Sequence, residues 1–470
     1  MRNGRRRFLQ GSAAVMAAGL LPGCGSPPDP AVPGVAVVHD PDKPLPWINW
    51  AGNQYCNPAQ RVAPDAEAAV VEAMKQSRGT VRAVGASHSF TPLVPTDDTL
   101  IATDLLSGLI DYDSQSLQAE LWAGTRLHDL GPLLAKVGQA LPNMPDVDRF
   151  SLAGALANSA HATGAGFGSM STQISALTLA TPGGDLLRCS ATENPELFQA
   201  ARVSLGALGI VTRVRLQNVK SFNLTETNRV EYTEDVLDDL ERRVEVHRHF
   251  EFLPLPNSDL AATVSTDLAK PGDISQGEDD PEALNKLRSL FDNISWLPGA
   301  GRVYDWLLKR TLADEATTTR TGPSYRIFAH PRLVRFREME YIVPAEAGPA
   351  CLREILHTIR ERGIPTCFPL EYRTVAADDI WLSMFEGRPS VAIAVHQFGD
   401  LDHRSYFEQI EPIFWKYEGR PHWAKLHTLD TERLAALYPR HWKEFHAVRE
   451  SIDPQGKMLN PYLKHLFGVA

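Results

Sequence analysis

A short turn in the first quarter of this sequence has the composition of a phosphate-binding loop. Residues 84–90 read VGASHSF and follow an apolar stretch that is typical of a strand. A turn of small residues with a glycine leaves backbone N–H groups free to approach a diphosphate. His88 stands at the tip of the turn, where an imidazole is hard to explain as a core residue. The turn therefore predicts a functional histidine, the alternative being a plain loop histidine.

A second segment, residues 153–168, consists almost entirely of small residues. Such a run allows the backbone to press against a large flat ligand or its phosphates. It lacks the G-x-G-x-x-G pattern after a strand, so a Rossmann nucleotide site is not supported. The alternative is a flexible linker, but a linker would not normally lead into the apolar residues 174–179 and a turn at residues 182–184.

Polar residues in the last quarter of the chain have the types and spacing of an acid–base site: Glu371, Arg373, His396 and Lys425. Glu371 and Arg373 face the same way on a predicted strand, and His396 lies on a second strand whose opposite face is apolar. A carboxylate, a guanidinium, an imidazole and an ammonium together bind hydroxyl groups, accept a proton and offset negative charge. The alternative is a surface ion pair between Glu371 and Arg373, with a buried structural histidine.

Short strands and helices are predicted around these segments. In the first half we expect strands at residues 81–84, 121–123 and 210–216 and a helix from residue 127 to 137. In the second half we expect a strand at 339–343, a helix at 350–362, and neighbouring strands at 371–373 and 391–398. This order indicates an α+β fold with helices on one face of the second sheet. Residues 265–325 are the most polar and least periodic part, and they are predicted to decorate the second domain.

Length and charge limit the class of protein. The chain has 470 residues, more than one hydrophobic core normally holds, so two domains or more are expected. The formal net charge is −10, and the acidic body offers no basic stripe for a nucleic-acid partner. Beyond residue 30, no apolar run approaches the roughly 20 residues that span a bilayer.

Residues 1–24 are predicted to be an export signal. Arginines at positions 5–7 precede Phe-Leu and a short apolar stretch, which resembles a twin-arginine signal. The sequence LPGC ending at Cys24 resembles a lipoprotein box, so Cys24 is acylated or, alternatively, the signal is simply cleaved. Residues 25–46 are rich in proline, which is typical of an extended tether. These features predict a periplasmic protein or one on the outer face of the cell membrane.

The remaining cysteines show no C-x-x-C spacing: Cys56, Cys189, Cys351 and Cys367. A zinc or redox site is therefore not expected. In an exported protein a disulfide is an option, but the sequence does not choose among three pairings, and buried free thiols are the alternative. We find no cluster with metal-ligand spacing, and so we predict no metal site.

Taken together, these segments resemble the vanillyl-alcohol-oxidase superfamily of flavoenzymes, and within it the branch of alditol oxidases and D-arabinono-1,4-lactone oxidases. The matching segments of the first half are residues 49–53, 84–90, 140–144, 153–168 and 204–212. The match resumes at residues 371–378, 381–383, 420–425, 437–440 and 453–457. The resemblance implies a PCMH-type FAD-binding domain at 47–220. It also implies a substrate or cap domain of antiparallel sheet plus helices at 221–470, whose C-terminal segment packs back on the FAD domain.

The resemblance also implies FAD as the cofactor, bonded covalently through His88. The cofactor-binding residues that it predicts are Gly85, Ala86, Ser87, His88, Ser89, Gly154, Ala155, Ser159, His161, Gly164 and Ile210. Two positions depart from the family pattern, since Ala162 replaces a glycine and Ala155 stands where alditol oxidases carry serine. Phe398 replaces a small polar residue, which predicts a more apolar pocket.

The activity implied by the resemblance is oxidation of a CH–OH group of a polyol or sugar lactone. A hydride passes to the flavin, and dioxygen is the expected acceptor, giving hydrogen peroxide. His396 or Lys425 would accept the hydroxyl proton, Arg373 and Lys425 would offset negative charge, and Glu371 would bind hydroxyls and orient Arg373. Two alternatives remain: a dehydrogenase of the same fold with a membrane acceptor, and a non-catalytic carbohydrate-binding lipoprotein.

Overall fold

The structure is a computed structural model that describes residues 44–276, 280, 282–295, 300–312, 317–331 and 333–469. The predicted signal, Cys24 and all but the last three residues of the predicted tether lie outside the described residues. Within the described ranges, no helix combines the length and the apolar character that crossing a membrane requires.

The first half is built from short strands and short helices. The strands are β1 (Trp47–Ile48), β2 (Tyr55–Cys56), β3 (Gln60–Val62), β4 (Val81–Val84), β5 (Thr99–Ala102), β6 (Leu109–Asp113), β7 (Gln118–Trp122), β8 (Gln139–Ala140), β9 (Ile174–Ala180), β10 (Leu186–Ser190), β11 (Ile210–Gln217) and β12 (Val219–Lys220). The helices are α1 (Glu67–Gln76), α2 (Leu127–Lys136), α3 (Leu152–Ala157) and α4 (Pro195–Ala201), with a 3₁₀ turn at Met170–Gln173.

Two sheets organise this half. Strands β3, β5 and β4 form a parallel sheet, and strands β10, β9, β11, β7 and β6 form an antiparallel one. Helix α1 buries Val70 and Met74, which lie one turn apart on its inner face, in one cluster with Ile101 of β5 and Ile210 of β11. The apolar spacing of this helix therefore joins the two sheets into one core.

The second half contains one large sheet. Its strands are β13 (Asn223–Tyr232), β14 (His249–Pro254), β15 (Leu260–Leu268), β16 (Thr318–Pro323), β17 (Phe336–Pro344), β18 (Glu371–Val375), β19 (Ser390–Phe398) and β20 (Arg420–Pro421). The helices are α5 (Thr233–Asp238), α6 (Leu240–Val246), α7 (Ala283–Ile294), α8 (Ala300–Leu312), α9 (Ser324–Ile327), α10 (Gly348–Glu361), α11 (Arg404–Lys416), α12 (Thr431–Leu437), α13 (Trp442–Ile452) and α14 (Pro461–Phe467), with a 3₁₀ turn at Ala345–Ala347.

The order of the large sheet brings the predicted charged residues together. All neighbouring strands are antiparallel, in the order β16-β13-β15-β14-β18-β19-β17-β20. On β18, Arg373 pairs with Glu251 of β14 on one side. On β19, His396 pairs with Glu338 of β17. Because residues two apart on a strand share a face, these side chains point to one side of the sheet, and helix α10 packs on the other side.

Most of the predicted elements are confirmed. The strands expected at 81–84 and 210–216 are β4 and β11, and β11 has the alternating burial that its sequence indicated. The helix expected at 350–362 is α10, and the two neighbouring strands are the paired β18 and β19. Mixed helices and sheets confirm the α+β class.

The polar stretch at residues 265–325 contains more regular structure than its composition indicated. Helices α7 and α8 lie within it. Leu287 and Phe291 of α7 pack with Tyr304 and Leu308 of α8 on a small hydrophobic cluster. Charged residues occupy the outer faces of both helices. Each helix therefore has a narrow apolar stripe that the polar composition of residues 265–325 does not reveal.

The C-terminal segment packs against the first half. Arg82 of β4 is buried, and its guanidinium donates hydrogen bonds to the carbonyl oxygens of Leu93, Leu205, Gly206 and Met458. One arginine thereby links three distant segments of the chain. The amide of Val81 donates to Lys457 O at 2.9 Å and strengthens the same junction.

The four cysteines of the described region are free and buried: Cys56, Cys189, Cys351 and Cys367. Burial raises the pKa of all four thiols, that of Cys189 to about 12. Each thiol is therefore a small apolar core group at neutral pH.

Candidate active site

A cavity of about 450 Å³ is lined by residues from both halves of the protein. The first half contributes residues 82–90, much of 145–161 and parts of 204–211. The second half contributes polar side chains: Glu338, Glu340, Glu371, Arg373, His396, His422 and Lys425. The predicted phosphate-binding turn and all four predicted catalytic residues thus line the same space.

The turn at residues 85–89 presents a row of unpaired backbone donors. Among the described residues, no atom accepts a hydrogen bond from any of these five amides. Ser87 has φ of 60°, a left-handed conformation that bends the row inward. A Cβ at Gly85 would lie 1.9 Å from the Oγ of Ser151, so only glycine fits there. A concave row of free N–H groups binds anions, and it suits the diphosphate of a dinucleotide.

His88 is held beside this row as a neutral ring. It stacks on Trp50 with ring centroids 5.2 Å apart and planes at 13°, and Phe150 meets its edge. Its Nδ1 donates to the carbonyl oxygen of Ala86 at 2.8 Å. Burial lowers the pKa of His88 to about 4, so the ring is uncharged at neutral pH.

The segment before the turn clamps it in place. Trp47 Nε1 donates to Ser87 Oγ at 2.9 Å, and the amide of Trp50 donates to Ser87 O at 2.7 Å. Asn49 Nδ2 donates to Ser89 O at 2.9 Å. These bonds use the carbonyls and one hydroxyl of the turn, and so they leave its amides free.

The small-residue run lines the cavity only in part. Gly154, Ala155 and His161 of the run line it, whereas Ser159 and Gly164 do not. Ile210, the first residue of β11, also lines the cavity. The hydroxyl of Ser159 is buried 3.2 Å from Ser383 Oγ. Gly164 donates its amide to Thr374 O of β18 at 2.7 Å. Ser159 and Gly164 therefore lie outside the lining of the cavity and contact the second half, and their contact with the cofactor stays a prediction.

Two buried acids of β17 face the cavity, and neither was among the predicted site residues. Glu338 makes an ion pair with Lys425 and lies 3.6 Å from His396 Nε2. Burial alone raises the pKa of Glu338, but Lys425 opposes burial and holds it well below the ordinary value. His396 donates from Nδ1 to Pro369 O at 3.1 Å, which leaves its Nε2 without a proton in the neutral ring.

The second acid, Glu340, lies among histidines. His161 Nε2 is 3.0 Å from Glu340 Oε1, and His161 Nδ1 donates to Ala162 O at 3.1 Å. Although burial raises the pKa of Glu340, His161 holds it well below its usual range. His422 also lies next to this pair, with its ring centroid 5.8 Å from that of His161.

Arg373 is enclosed by carboxylates. It makes ion pairs with Glu371, with Glu251 at 3.2 Å and with Asp146 at 3.8 Å. Burial alone lowers the pKa of Arg373, but these acids hold it well above its usual value. One guanidinium thus lies among three acids beside the cavity.

Two groups of side chains in the described region have the spacing of metal ligands. They are His161, Glu340 and His422, and Glu338, Glu371 and His396, with ligand atoms within 4.8 Å of one another. In the first group, His422 Nδ1 accepts from the amide of Ala424, so its Nε2 carries the proton and is not a ligand atom. In the second group, Lys425 and Arg373 already pair with the carboxylates. Both groups favour hydrogen-bond networks over metal binding.

Family models match most of this architecture. An FAD binding domain model matches residues 58–190, and a D-arabinono-1,4-lactone oxidase model matches residues 214–466. The chain belongs to the D-arabinono-1,4-lactone oxidase family. Membership confirms the resemblance and identifies an FAD-dependent oxidoreductase of CH–OH donors. The free amides of residues 85–89 and the absence of room for a side chain at Gly85 fit this cofactor.

Named relatives of this lactone oxidase family align over nearly their full length. The chain is 36% identical to an L-gulono-1,4-lactone dehydrogenase of Mycobacterium tuberculosis over 431 residues, which covers 90% of this chain and 99% of the relative. It is 31% identical to an L-gulonolactone oxidase of Bos taurus, with the same coverage. It is 27% identical to an alditol oxidase of a Streptomyces species, covering 89% of this chain and 98% of the relative.

A solved structure shares the fold. A cholesterol oxidase of B. sterolicum superposes with a TM-score of 0.71 at 16% identity, covering 94% of this chain and all of that chain. Identity this low supports the architecture alone. It agrees with the two-part α+β fold predicted for this lactone oxidase family member.

Sequence reasoning missed residues whose signals were present. Glu338 and Glu340 alternate within an apolar strand, so both point to one face. Trp50 and His422 lie inside segments that had already been matched to the family, but neither was assigned a role. The strongest overlooked signal was the presence of two glutamates within an apolar strand. If such a strand is buried, its carboxylates require partners.

Proposed function

We propose that this protein oxidises a secondary hydroxyl group of an aldono-1,4-lactone, with FAD as the hydride acceptor. One observation carries the proposal: a single cavity connects the free amides of residues 85–89 to Arg373, His396 and Lys425. A dinucleotide whose diphosphate is bound by the amides of residues 85–89 would share this cavity with the acid–base cluster of Arg373, His396 and Lys425. The lactone-specific names of the relatives at 36% and 31% identity support the substrate class.

Within this proposal, His396 accepts the hydroxyl proton. When bound, FAD supplies the acceptor for the hydride that leaves the same carbon. His396 has Nδ1 fixed on Pro369 O, so the lone pair of the neutral ring lies on Nε2. Glu338 lies 3.6 Å from that nitrogen and stabilises the imidazolium that forms. Lys425 was the other proton acceptor that the sequence left open; its ion pair with Glu338 suits it better as a fixed positive charge.

Arg373 and Glu371 are proposed to hold the substrate. Both belong to the ion-pair cluster beside the cavity, so the guanidinium is oriented by its carboxylate partners. Arg373 offsets negative charge on the substrate oxygen as its proton leaves. Glu371 accepts hydrogen bonds from neighbouring substrate hydroxyls. Loss of a hydride and a proton from one CH–OH group gives a carbonyl product.

A lactone is favoured over an open-chain polyol by the cavity wall near the charged cluster. Phe90 lies there with its ring centroid 5.2 Å from Lys425 Nζ, and Phe336 lies with its ring centroid 5.4 Å from that of His396. Both line the cavity and offer flat apolar contacts to a five-membered ring. The decisive experiment is anaerobic flavin reduction with a panel of aldono-1,4-lactones and alditols. Bleaching of the flavin by lactones but not alditols is expected. Bleaching by alditols alone would contradict the lactone assignment.

We also propose that His88 bonds covalently to the flavin. A neutral imidazole is the nucleophilic form of the ring, and burial keeps His88 neutral. We expect yellow protein whose flavin fluorescence stays with the chain on a denaturing gel. His88→Ala is expected to release the flavin on denaturation. Flavin that leaves the wild-type chain under the same conditions would refute the covalent bond.

Dioxygen is the proposed electron acceptor. A dehydrogenase is the second candidate, because the relative from Mycobacterium tuberculosis is named a dehydrogenase. Under air, stoichiometric hydrogen peroxide with lactone identifies an oxidase. Slow peroxide formation with fast reduction of an artificial dye identifies a dehydrogenase.

Export through the twin-arginine signal is proposed, with Cys24 as a candidate for acylation. Fractionation of cells and the mass of the mature chain test this directly. An N-terminal mass that includes diacylglycerol on Cys24 supports the anchor, and a fully cytoplasmic protein with intact residues 1–24 contradicts export.

A further inference from the structure

His422 is a buried histidine whose two ring nitrogens have different surroundings. Nδ1 accepts a hydrogen bond from the amide of Ala424 at 3.1 Å. A nitrogen that accepts carries no proton, so the neutral ring is protonated at Nε2. In the part of the chain that the structure describes, nothing pairs with Nε2, although His422 is only 4% exposed and lines the cavity. Since His422 lines the cavity, a molecule in the cavity can accept this hydrogen bond.

The backbone around His422 fixes the direction of the ring. The amide of His422 donates to Glu340 O at 2.9 Å, and its carbonyl accepts from the amide of Lys425 at 2.9 Å. These bonds tie the loop to β17 and complete a tight turn at residues 422–425. Rotation of the ring would break the bond from Ala424, so the donor is preorganised.

The charge state of His422 is also set by its surroundings. Burial lowers its pKa to about 3; Glu340 opposes this effect, and Lys425 and His161 add to it. The ring is neutral throughout the physiological range. It therefore offers a hydrogen bond without adding a charge next to Lys425.

We propose that His422 donates a hydrogen bond from Nε2 to the FAD in this cavity and favours its reduced form. The inference rests on the proposed flavin chemistry. A preorganised donor stabilises an atom more strongly as that atom becomes more negative, which happens to a flavin that accepts a hydride. His422 thus complements Lys425, which supplies positive charge, and His396, which accepts the proton.

Two substitutions distinguish the hydrogen bond that His422 donates from Nε2 from the one that its Nδ1 accepts from the amide of Ala424. His422→Asn keeps a side-chain oxygen near the Nδ1 position to accept from Ala424, but it places no donor at the Nε2 position. His422→Gln can place its amide nitrogen near that position. His427→Gln is a matched control, because His427 is partly buried and neutral, with a pKa that burial lowers to about 4, but does not line the cavity.

The measurement is the midpoint potential of the flavin in purified holoprotein, equilibrated with a reference dye. For His422→Asn we expect the preference for the reduced cofactor to fall about tenfold, which is about 30 mV for a two-electron couple. His422→Gln is expected to stay within about threefold of wild type, and His427→Gln to be unchanged.

Each outcome decides the proposal. An unchanged potential in His422→Asn, or an equal fall in both His422 variants, overturns the donor role. If His422→Asn alone fails to retain FAD, the proposal is supported; if both variants fail, it is overturned. Wild-type protein that binds no flavin would instead refute the proposed function.

Discussion

The two sides of the cavity bind in different ways. Along residues 85–89 the donors are backbone amides, and burial keeps the neighbouring imidazole of His88 neutral. On the opposite side, Arg373 and Lys425 lie among buried carboxylates and act through full charges. A backbone site tolerates changes of side chain as long as the turn keeps its shape. A charged site does not, because each member leaves a buried partner when it is removed.

The largest effect is expected on the charged side, at Arg373. Arg373→Ala leaves Glu251, Glu371 and Asp146 without their guanidinium. Breaking a buried ion pair costs about 3–5 kcal/mol, and we expect a loss of this size in the free energy of unfolding, measured with urea. Reduction of the flavin by lactone should disappear. Arg353→Ala, at an exposed ion pair, should cost less than about 1 kcal/mol.

The next largest effect is expected at Lys425. Lys425→Ala should keep the flavin but slow anaerobic reduction by lactone about 10²- to 10³-fold, as expected when one preorganised electrostatic group is lost. Lys416→Ala removes an exposed lysine from an ion pair with Glu354 and should leave the rate unchanged. If Lys425→Ala bleaches at the wild-type rate, Lys425 has no part in the reaction.

A moderate effect is expected on the backbone side at Trp50. Its stacking on His88 is worth about 0.5–1.5 kcal/mol, so Trp50→Ala should slow covalent flavin incorporation roughly 2- to 10-fold. Trp50→Phe should retain most of the rate. The time course of in-gel flavin fluorescence after adding FAD to apoprotein measures this. Trp306→Phe, at an exposed tryptophan, is the control.

The smallest effect is expected at Ser89. Ser89→Ala removes a hydroxyl but keeps the amide, so FAD affinity should change by less than about twofold. Gly85→Ala is the informative contrast, because its Cβ would collide with Ser151 and distort the row of amides. FAD titration of apoprotein followed by fluorescence quenching compares the two. A large loss in Ser89→Ala would show that side chains, not the backbone, dominate this side.

Features that depend only on residues close together in the sequence could be predicted from it. The turn at 84–90 and the alternation along β11 depend on neighbours in sequence, and both are found as predicted. The alternation of Glu338 with Glu340 is visible in the sequence, but a strand's pattern does not reveal its position in a sheet, and so Glu338 was missed. Only the pairing of β17 between β19 and β20 explains why this carboxylate is buried. Long-range pairing of this kind is a property of the tertiary structure.

The same limit applies to the small-residue run at residues 153–168. Its composition is uniform from residue 153 to 166, so nothing local marks where it leaves the cavity. The structure sets that point after His161, because Gly164 bonds to Thr374 of β18. Ser159 and Gly164 thus serve the contact between the halves.

The four unpaired thiols have a consequence for how the protein is made. Because these four thiols are unpaired in the folded structure, the described segments do not depend on an oxidising compartment for a cross-link. A thiol-blocking reagent added to the folded protein should therefore leave these four buried thiols unmodified.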